Sequence, residues 1–223
     1  MLRRIFTGVV MAIVVAIVAF LVFYQFYFLR TPDRNIPGDP TVFVSPANGV
    51  VSSVTHWTED SLVIRKGDWG AIKVLAGDMG KSGTMICIKL NLANVHYQRV
   101  PIKGFYIGST YVPGAFHNAL SSDNIYGMRF ENEHNIMVFK SENGTKYKVI
   151  QIAGFAARRI VDDLKSGRQP VDQGQIIGLI KFGSQVTVLF PENVKVITKK
   201  GDELTDGETI IAKEQSENLD AKN

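Results

Sequence analysis

The sequence predicts a mostly β domain with small helical additions, carried behind an N-terminal transmembrane helix. Three observations point there. Short runs rich in Val, Ile, Phe and Tyr recur from residue 41 to residue 212, each bounded by Gly, Pro, Asn or Asp. Residues 9–29 are almost wholly apolar, with Gln25 the only clearly polar interruption. Late in the chain, GQIIGLIKFGSQVTVLFP (174–191) sets two apolar runs on either side of Phe182-Gly183-Ser184-Gln185. The branched and aromatic content of both runs marks them as strands, joined as a hairpin.

At about 1.5 Å per residue, residues 9–29 are long enough to cross a bilayer core of about 30 Å. The run is long for a signal peptide, and no small-residue cleavage site closes it. Its aromatic end, Phe23 to Phe28, suits the bilayer interface. Arg3 and Arg4 stand before the run, and Arg30 and Arg34 after it, so charge leaves its orientation open. Residues 1–30 are therefore read as a membrane anchor, 31–213 as the folded domain and 214–223 as a polar tail. The chain holds 25 Lys+Arg and 21 Asp+Glu. Arg3, Arg4 and Arg30 lie in the first thirty residues, which hold no acid, leaving 22 basic side chains against 21 acidic ones beyond. A domain so nearly neutral gives no sign of a nucleic-acid surface. The single cysteine, Cys87, lies in an apolar run and reads as a buried small hydrophobe.

Thr31 to Pro40, with three prolines, reads as an ordered linker. The strand 41–44 ends at Ser45-Pro46-Ala47-Asn48-Gly49, where Asn-Gly is a good turn pair, and 50–54 follows as strand. His56, Trp57 and Asp60 read as surface or rim residues. Strands are expected at 71–76 and 85–92, and a hairpin joins 136–139 to 147–150 through Glu142-Asn143-Gly144. Residues 152–161 are mixed in period and suggest a bend into a short helix. The runs 194–197 and 208–212 supply late strands.

Several side chains admit both a structural and a chemical reading. His96 either fills a polar gap at a sheet edge or exchanges protons near neutral pH. Arg99 either makes a salt bridge or steadies a phosphate or carboxylate. The loop around Phe116 and His117 is either exposed or admits a lipid, and Arg158 either faces solvent or receives an anion. Gly183-Ser184 is either a permissive bend or a strained peptide whose hydroxyl attacks the preceding carbonyl. The four histidines form no HExxH and no close His/Cys cluster, so no metal site is expected.

Five stretches, VSPANG (44–49), NVHYQRVP (94–101), VPGAFHNA (112–119), IAGFAARRIV (152–161) and IKFGSQVTVLFP (180–191), resemble in order the short prokaryotic type of the phosphatidylserine decarboxylase family. The resemblance implies a decarboxylase-like β domain on a bacterial or archaeal membrane, its cytoplasmic face favoured. It implies self-cleavage between Gly183 and Ser184, with Ser184 becoming a pyruvoyl cofactor that holds the substrate amine and accepts electrons as carbon dioxide leaves. His96 matches the histidine that assists cleavage and protonates the product. Phe116, His117, Arg99 and Arg158 become candidates for binding a serine phospholipid, either phosphatidylserine or an archaeal ether-lipid analogue. A homodimer stays open.

One departure is chemically important: the family carries an aspartate where this chain has Asn48. An amide can orient an imidazole through its carbonyl but supplies no negative charge to an imidazolium. A largely uncut proenzyme is therefore expected. The alternative is a non-catalytic, membrane-tethered lipid-binding or assembly module on the same scaffold, since fold alone does not fix function. A biotinyl- or lipoyl-like hairpin domain ranks lower, because no lysine sits in a clear carrier motif.

Overall fold

A computed structural model describes residues 2–58, 61–66, 70–116, 130–131, 133–153, 160–164, 167–181 and 185–215. An α-helix, α1 (Leu2–Val22), continues into one π-helical turn, Phe23–Phe28. The stretch Arg3–Phe28 is long and apolar enough to cross a membrane, and its helical side chains lie almost entirely outside the folded domain. The helical run thus begins earlier than the purely apolar stretch, because Leu2 to Gly8 adds two helical turns that carry Arg3 and Arg4.

Beyond it the domain is built from strands. In chain order these are β1 (Val42–Val44), β2 (Gly49–Trp57), β3 (Ser61–Lys66), β4 (Gly70–Leu75), β5 (Gly83–Lys89) and β6 (Tyr97–Arg99). Then come β7 (Gly104–Val112), β8 (Ala115–Phe116), β9 (Phe130–Glu131), β10 (His134–Ser141), β11 (Lys146–Ile152) and β12 (Ile160–Asp162). The last are β13 (Gln169–Val171), β14 (Ile176–Ile180), β15 (Gln185–Pro191), β16 (Val194–Val196), β17 (Glu203–Leu204) and β18 (Ile210–Glu214). The central sheet has eight strands in the order β13-β7-β10-β11-β15-β5-β2-β17, flanked by β1-β18-β16, β12-β14-β6 and β3-β4-β9-β8.

Strand β15 explains why its sequence is mostly apolar. Every one of its residues is buried, because both faces of the central sheet are covered. Val186, Val188 and Phe190 enter the larger core with Phe43, Phe139 and Tyr147. Leu189 faces the second core, with Trp57, Ile64, Ile150 and Cys87. Trp57 is thus a core residue, 4% exposed; its neighbour His56 lies at the surface as expected, and Asp60 lies outside the described residues. The turn before β2 needs its glycine: a Cβ on Gly49 would lie 2.4 Å from the Lys89 carbonyl oxygen, inside the van der Waals limit.

One expectation needs correction. The two runs flanking Gly183-Ser184 do not pair as a hairpin. β14 bonds to β6 and β12, whereas β15 bonds to β11 and β5. The chain changes sheets between Ile180 and Gln185. The physical reason is burial: two fully apolar strands each gain more from being flanked on both sides than from closing on one another.

Candidate functional site

The central sheet aligns six residues across one of its ends. Val50 pairs with Lys89, Lys89 with Gln185, Gln185 with Ile152, Ile152 with His134, and His134 with Val112. Because the strands alternate in direction, this row collects the places where the chain enters or leaves the sheet. Asn48 immediately precedes β2. Residues 182–184 immediately precede β15. The segment 154–159 leaves β11, and the loop after Val112 leaves β7. The described ends of four of the five chemically suggestive stretches therefore meet at one end of one sheet, although they lie far apart in sequence.

The fifth stretch arrives from the neighbouring sheet. His96 stands at the start of β6, and its carbonyl oxygen accepts a hydrogen bond from the Ile180 amide at 3.2 Å. That places His96 beside the last described turns of chain before Gly183. The imidazole is fully buried. Neither ring nitrogen has a hydrogen-bond partner among the described residues. Burial drives its pKa from the usual 6.5 to about 4; the nearby Asn94 backbone opposes that shift without reaching bonding geometry, and the positive charge of Arg30 adds to it. At neutral pH His96 is an uncharged imidazole, a proton acceptor rather than a donor.

Asn48 is half-buried and its Oδ1 accepts a hydrogen bond from Asn94 Nδ2 at 2.8 Å. The amide oxygen that was expected to orient His96 is thus engaged by the loop two residues before it. That loop is itself tightly tied: the Asn91 amide donates to Asn94 Oδ1 and the Ala93 amide to Asn91 Oδ1. Asn48 therefore supports the position of His96 through the 91–94 turn, and not through a bond to the ring.

Arg99 is committed to the scaffold. Its Nε meets Asp206 at 2.8 Å, and its two terminal nitrogens donate to the carbonyls of Gly174 and Pro32. Arg34 bonds the other oxygen of Asp206 at 2.5 Å, and that carboxylate is wholly buried. The pair of arginines fastens residues 31–40 to the domain. Phe116 lies in β8, whose backbone pairs with β9. Gly183, Ser184, His117 and Arg158 lie outside the described residues.

The structure also brings forward residues that the pattern of the chain did not single out. A buried chain of side-chain amides runs from the central sheet to the histidine strand. Asn135 Nδ2 donates to Asp162 and to Gln151 Oε1, Gln151 Nε2 donates to Gln98 Oε1 at 2.8 Å, and Gln98 Nε2 donates to the His96 carbonyl at 2.6 Å. Gln98 and Gln151 are 0% exposed. The available signal was a glutamine inside each of two otherwise strand-like runs, YQR and KVIQI. Lys89, exposed at the end of β5, adds a cation one strand away from Gln185.

Comparison with known proteins converges on one family. The family model for phosphatidylserine decarboxylase matches residues 22–212. Among similar curated proteins, a phosphatidylserine decarboxylase proenzyme of Geotalea uraniireducens is 37% identical over 185 residues, covering 83% of this chain and 76% of that protein. The phosphatidylserine decarboxylase proenzyme of Rickettsia akari is 35% identical over 187 residues, or 83% of this chain and 73% of the relative. That of Wolbachia pipientis wMel is 32% identical over 232 residues, spanning 99% of this chain and 94% of the relative.

Proposed function

The chain belongs to the phosphatidylserine decarboxylase family, and from that premise we propose that it is made as a proenzyme which cuts itself between Gly183 and Ser184 before acting on a serine phospholipid. Family membership makes it a lyase acting on a phospholipid. The observation that carries the finer reading is the convergence of Asn48, His96 and both flanks of residues 182–184 at one end of the central sheet. The apolar helix supports a membrane location, and the family resemblance favours the cytoplasmic face.

In the proposed maturation, Ser184 Oγ gives up its proton and bonds to the Gly183 carbonyl carbon. The carbon–nitrogen bond breaks, the serine nitrogen takes a proton, and an ester joins the two residues. Loss of the Cα proton then breaks the ester's Cβ–oxygen bond, leaving a carboxylate on Gly183 and a dehydrated residue 184. Water replaces its nitrogen, ammonia leaves, and a pyruvoyl group heads the C-terminal piece. The chain flanking the serine fits this group: β15 begins at Gln185 in the central sheet, and β14 ends at Ile180, whose amide bonds to the carbonyl of buried His96. Once formed, the pyruvoyl carbonyl supplies the electron sink for decarboxylation.

His96 takes the proton from Ser184 and later returns one to the substrate carbon. An imidazole held near pKa 4 is a weak base. Without a carboxylate at position 48, the imidazolium has no counter-charge, and loss of an orienting carboxylate slows a comparable triad by about 10⁴. Maturation needs a single event per molecule, so the impaired base still cuts slowly, and the unmodified chain is expected largely whole. Phe116, His117 and Arg158, with exposed Lys89, are the proposed contacts for the lipid headgroup. Arg99 contributes by fastening the 31–40 segment to the domain.

Intact-mass analysis tests this. The unmodified chain should be mostly full length. Asn48→Asp should increase a pair of fragments split after Gly183, the C-terminal one carrying a pyruvoyl block, and Ser184→Ala should abolish them. If Asn48→Asp stays whole in native membranes, the reading falls in favour of a lipid-binding module on this scaffold.

A further inference from the structure

The π-helical turn that ends the membrane helix does not stop short of the domain. Phe28 is 0% exposed, and its ring stacks on the His96 imidazole with centroids 3.9 Å apart and planes 28° from parallel. Two neighbours latch the turn to the loop that precedes His96. Arg30 donates through Nη2 to the Ala93 carbonyl and through Nη1 to the Tyr27 carbonyl, while the Tyr27 hydroxyl reaches the same Ala93 oxygen at 3.4 Å. The Arg30 guanidinium also lies 4.1 Å from the Tyr27 ring centre. Leu29 and Arg30 close the turn by donating their amides to the Tyr24 and Tyr27 carbonyls.

We propose that Phe28 is a positioning residue for His96: the last turn of the membrane anchor forms a wall of the site, fixing the plane of the imidazole and keeping water from it. This rests on the reading of His96 as the proton-transfer group, but the shield itself is a property of the folded chain whether or not it is cut. With no hydrogen bond to either ring nitrogen among the described residues, stacking is what holds the imidazole's orientation. A face of the ring that water would otherwise occupy is covered by an aromatic side chain from the anchor. Among the described residues, the charged and titratable groups around it are few. Arg30 bears on it from the helix end, and on the strand side Tyr97 lies near Asp163 and Tyr24. The arrangement also fixes the height of the site. A helix whose final turn touches His96 sets that histidine directly below the interface at which a lipid headgroup sits.

The test uses the full chain in lipid nanodiscs, as the unmodified protein and as Phe28→Ala and Phe28→Leu. Acylation of each histidine by diethyl pyrocarbonate is followed by peptide mass spectrometry. Exposed His56 serves as the accessible reference, and buried His134, in the central sheet, reports on global unfolding. Loss of an aromatic stack should raise His96 labelling about three- to tenfold in Phe28→Ala, with Phe28→Leu intermediate and His134 unchanged. In the same samples the NMR titration midpoint of His96 should move up from about 4 towards 6.5 in Phe28→Ala and partly return in Phe28→Leu. Unchanged His96 labelling, or a rise shared equally by His134, overturns the proposal. Failure of Asn48→Asp to cut, with His96 still unmasked by Phe28→Ala, would instead retire the catalytic reading while leaving the shield in place.

Discussion

A buried imidazole that nothing solvates is costly to protonate, and His96 carries that cost into the stability of the whole domain. Its pKa is about 4 in the folded chain against an ordinary 6.5. Between those values the unfolded chain binds a proton that the folded chain refuses, so stability falls as pH drops from about 6.5 to about 4 and is unaffected by this group above that window. The loss amounts to at most about 3 kcal/mol. Asp78, hydrogen-bonded by Lys146 and Lys148, has a carboxyl held below its usual value, so its own contribution is lost only at lower pH. Denaturant titrations at pH 7 and pH 4.5 should therefore differ, and His96→Gln should remove most of that difference. An equal pH dependence in the variant would show that the histidine is not the group responsible. The sequence showed His96 as a candidate through its neighbours Asn94, Tyr97 and Arg99, but a ring stacked on its imidazole belongs to Phe28, sixty-eight positions earlier. No local pattern encodes a contact of that range.

Several strands were legible because each is an apolar run that the sheet then uses, whereas β7, β13 and β17 were not singled out and β12 falls at the end of 152–161, expected to bend into a short helix. The Ile136–Phe139 and Tyr147–Ile150 runs pair as expected through β10 and β11, and the uninterrupted burial of β15 suits its mostly apolar sequence. Pairing was less legible. A short linker between two apolar runs suggests a hairpin, yet β14 and β15 go to different sheets, and only the competition among all strands for buried flanks decides this. Gly178 shows the constraint: with φ at +147° and a Cβ position 2.1 Å from the Val161 oxygen, it lets β12 close on β14 beside the amide chain. That chain bridges the two sheets, and its middle member is the most exacting. Replacing Gln151 with Leu would leave Asn135 and Gln98 each short of a buried partner. The expected cost is about 1–3 kcal/mol in denaturant-induced unfolding, with slower cutting in the Asn48→Asp background because Gln98 also holds the His96 carbonyl. A Gln151→Leu variant as stable as the parent would mean that the amides only fill space.

At the scale of the molecule, one apolar helix and one β domain are held in a fixed relation. Arg34 and Arg99 clamp residues 31–40 through Asp206, and Arg30 and Tyr27 clamp the helix end to Ala93. The helix end meets the domain beside His96, so in the proposed function anchoring and substrate access belong to the same face. This arrangement predicts how the protein partitions. Charge-mediated adsorption is screened beyond about 10 Å at roughly 0.1 M salt, whereas a helix of about twenty apolar residues gains from each buried methylene about 0.8 kcal/mol that salt does not remove. After cell fractionation, the full chain should stay in the membrane pellet through high salt and alkaline carbonate. Deleting residues 1–30 should release most of the domain, and that released domain should show raised His96 labelling because Phe28 has gone with the helix. Release of the intact chain by salt alone would mean that the helix lies on the membrane without crossing it, and the height that Phe28 sets for the site would then have to be measured from the surface.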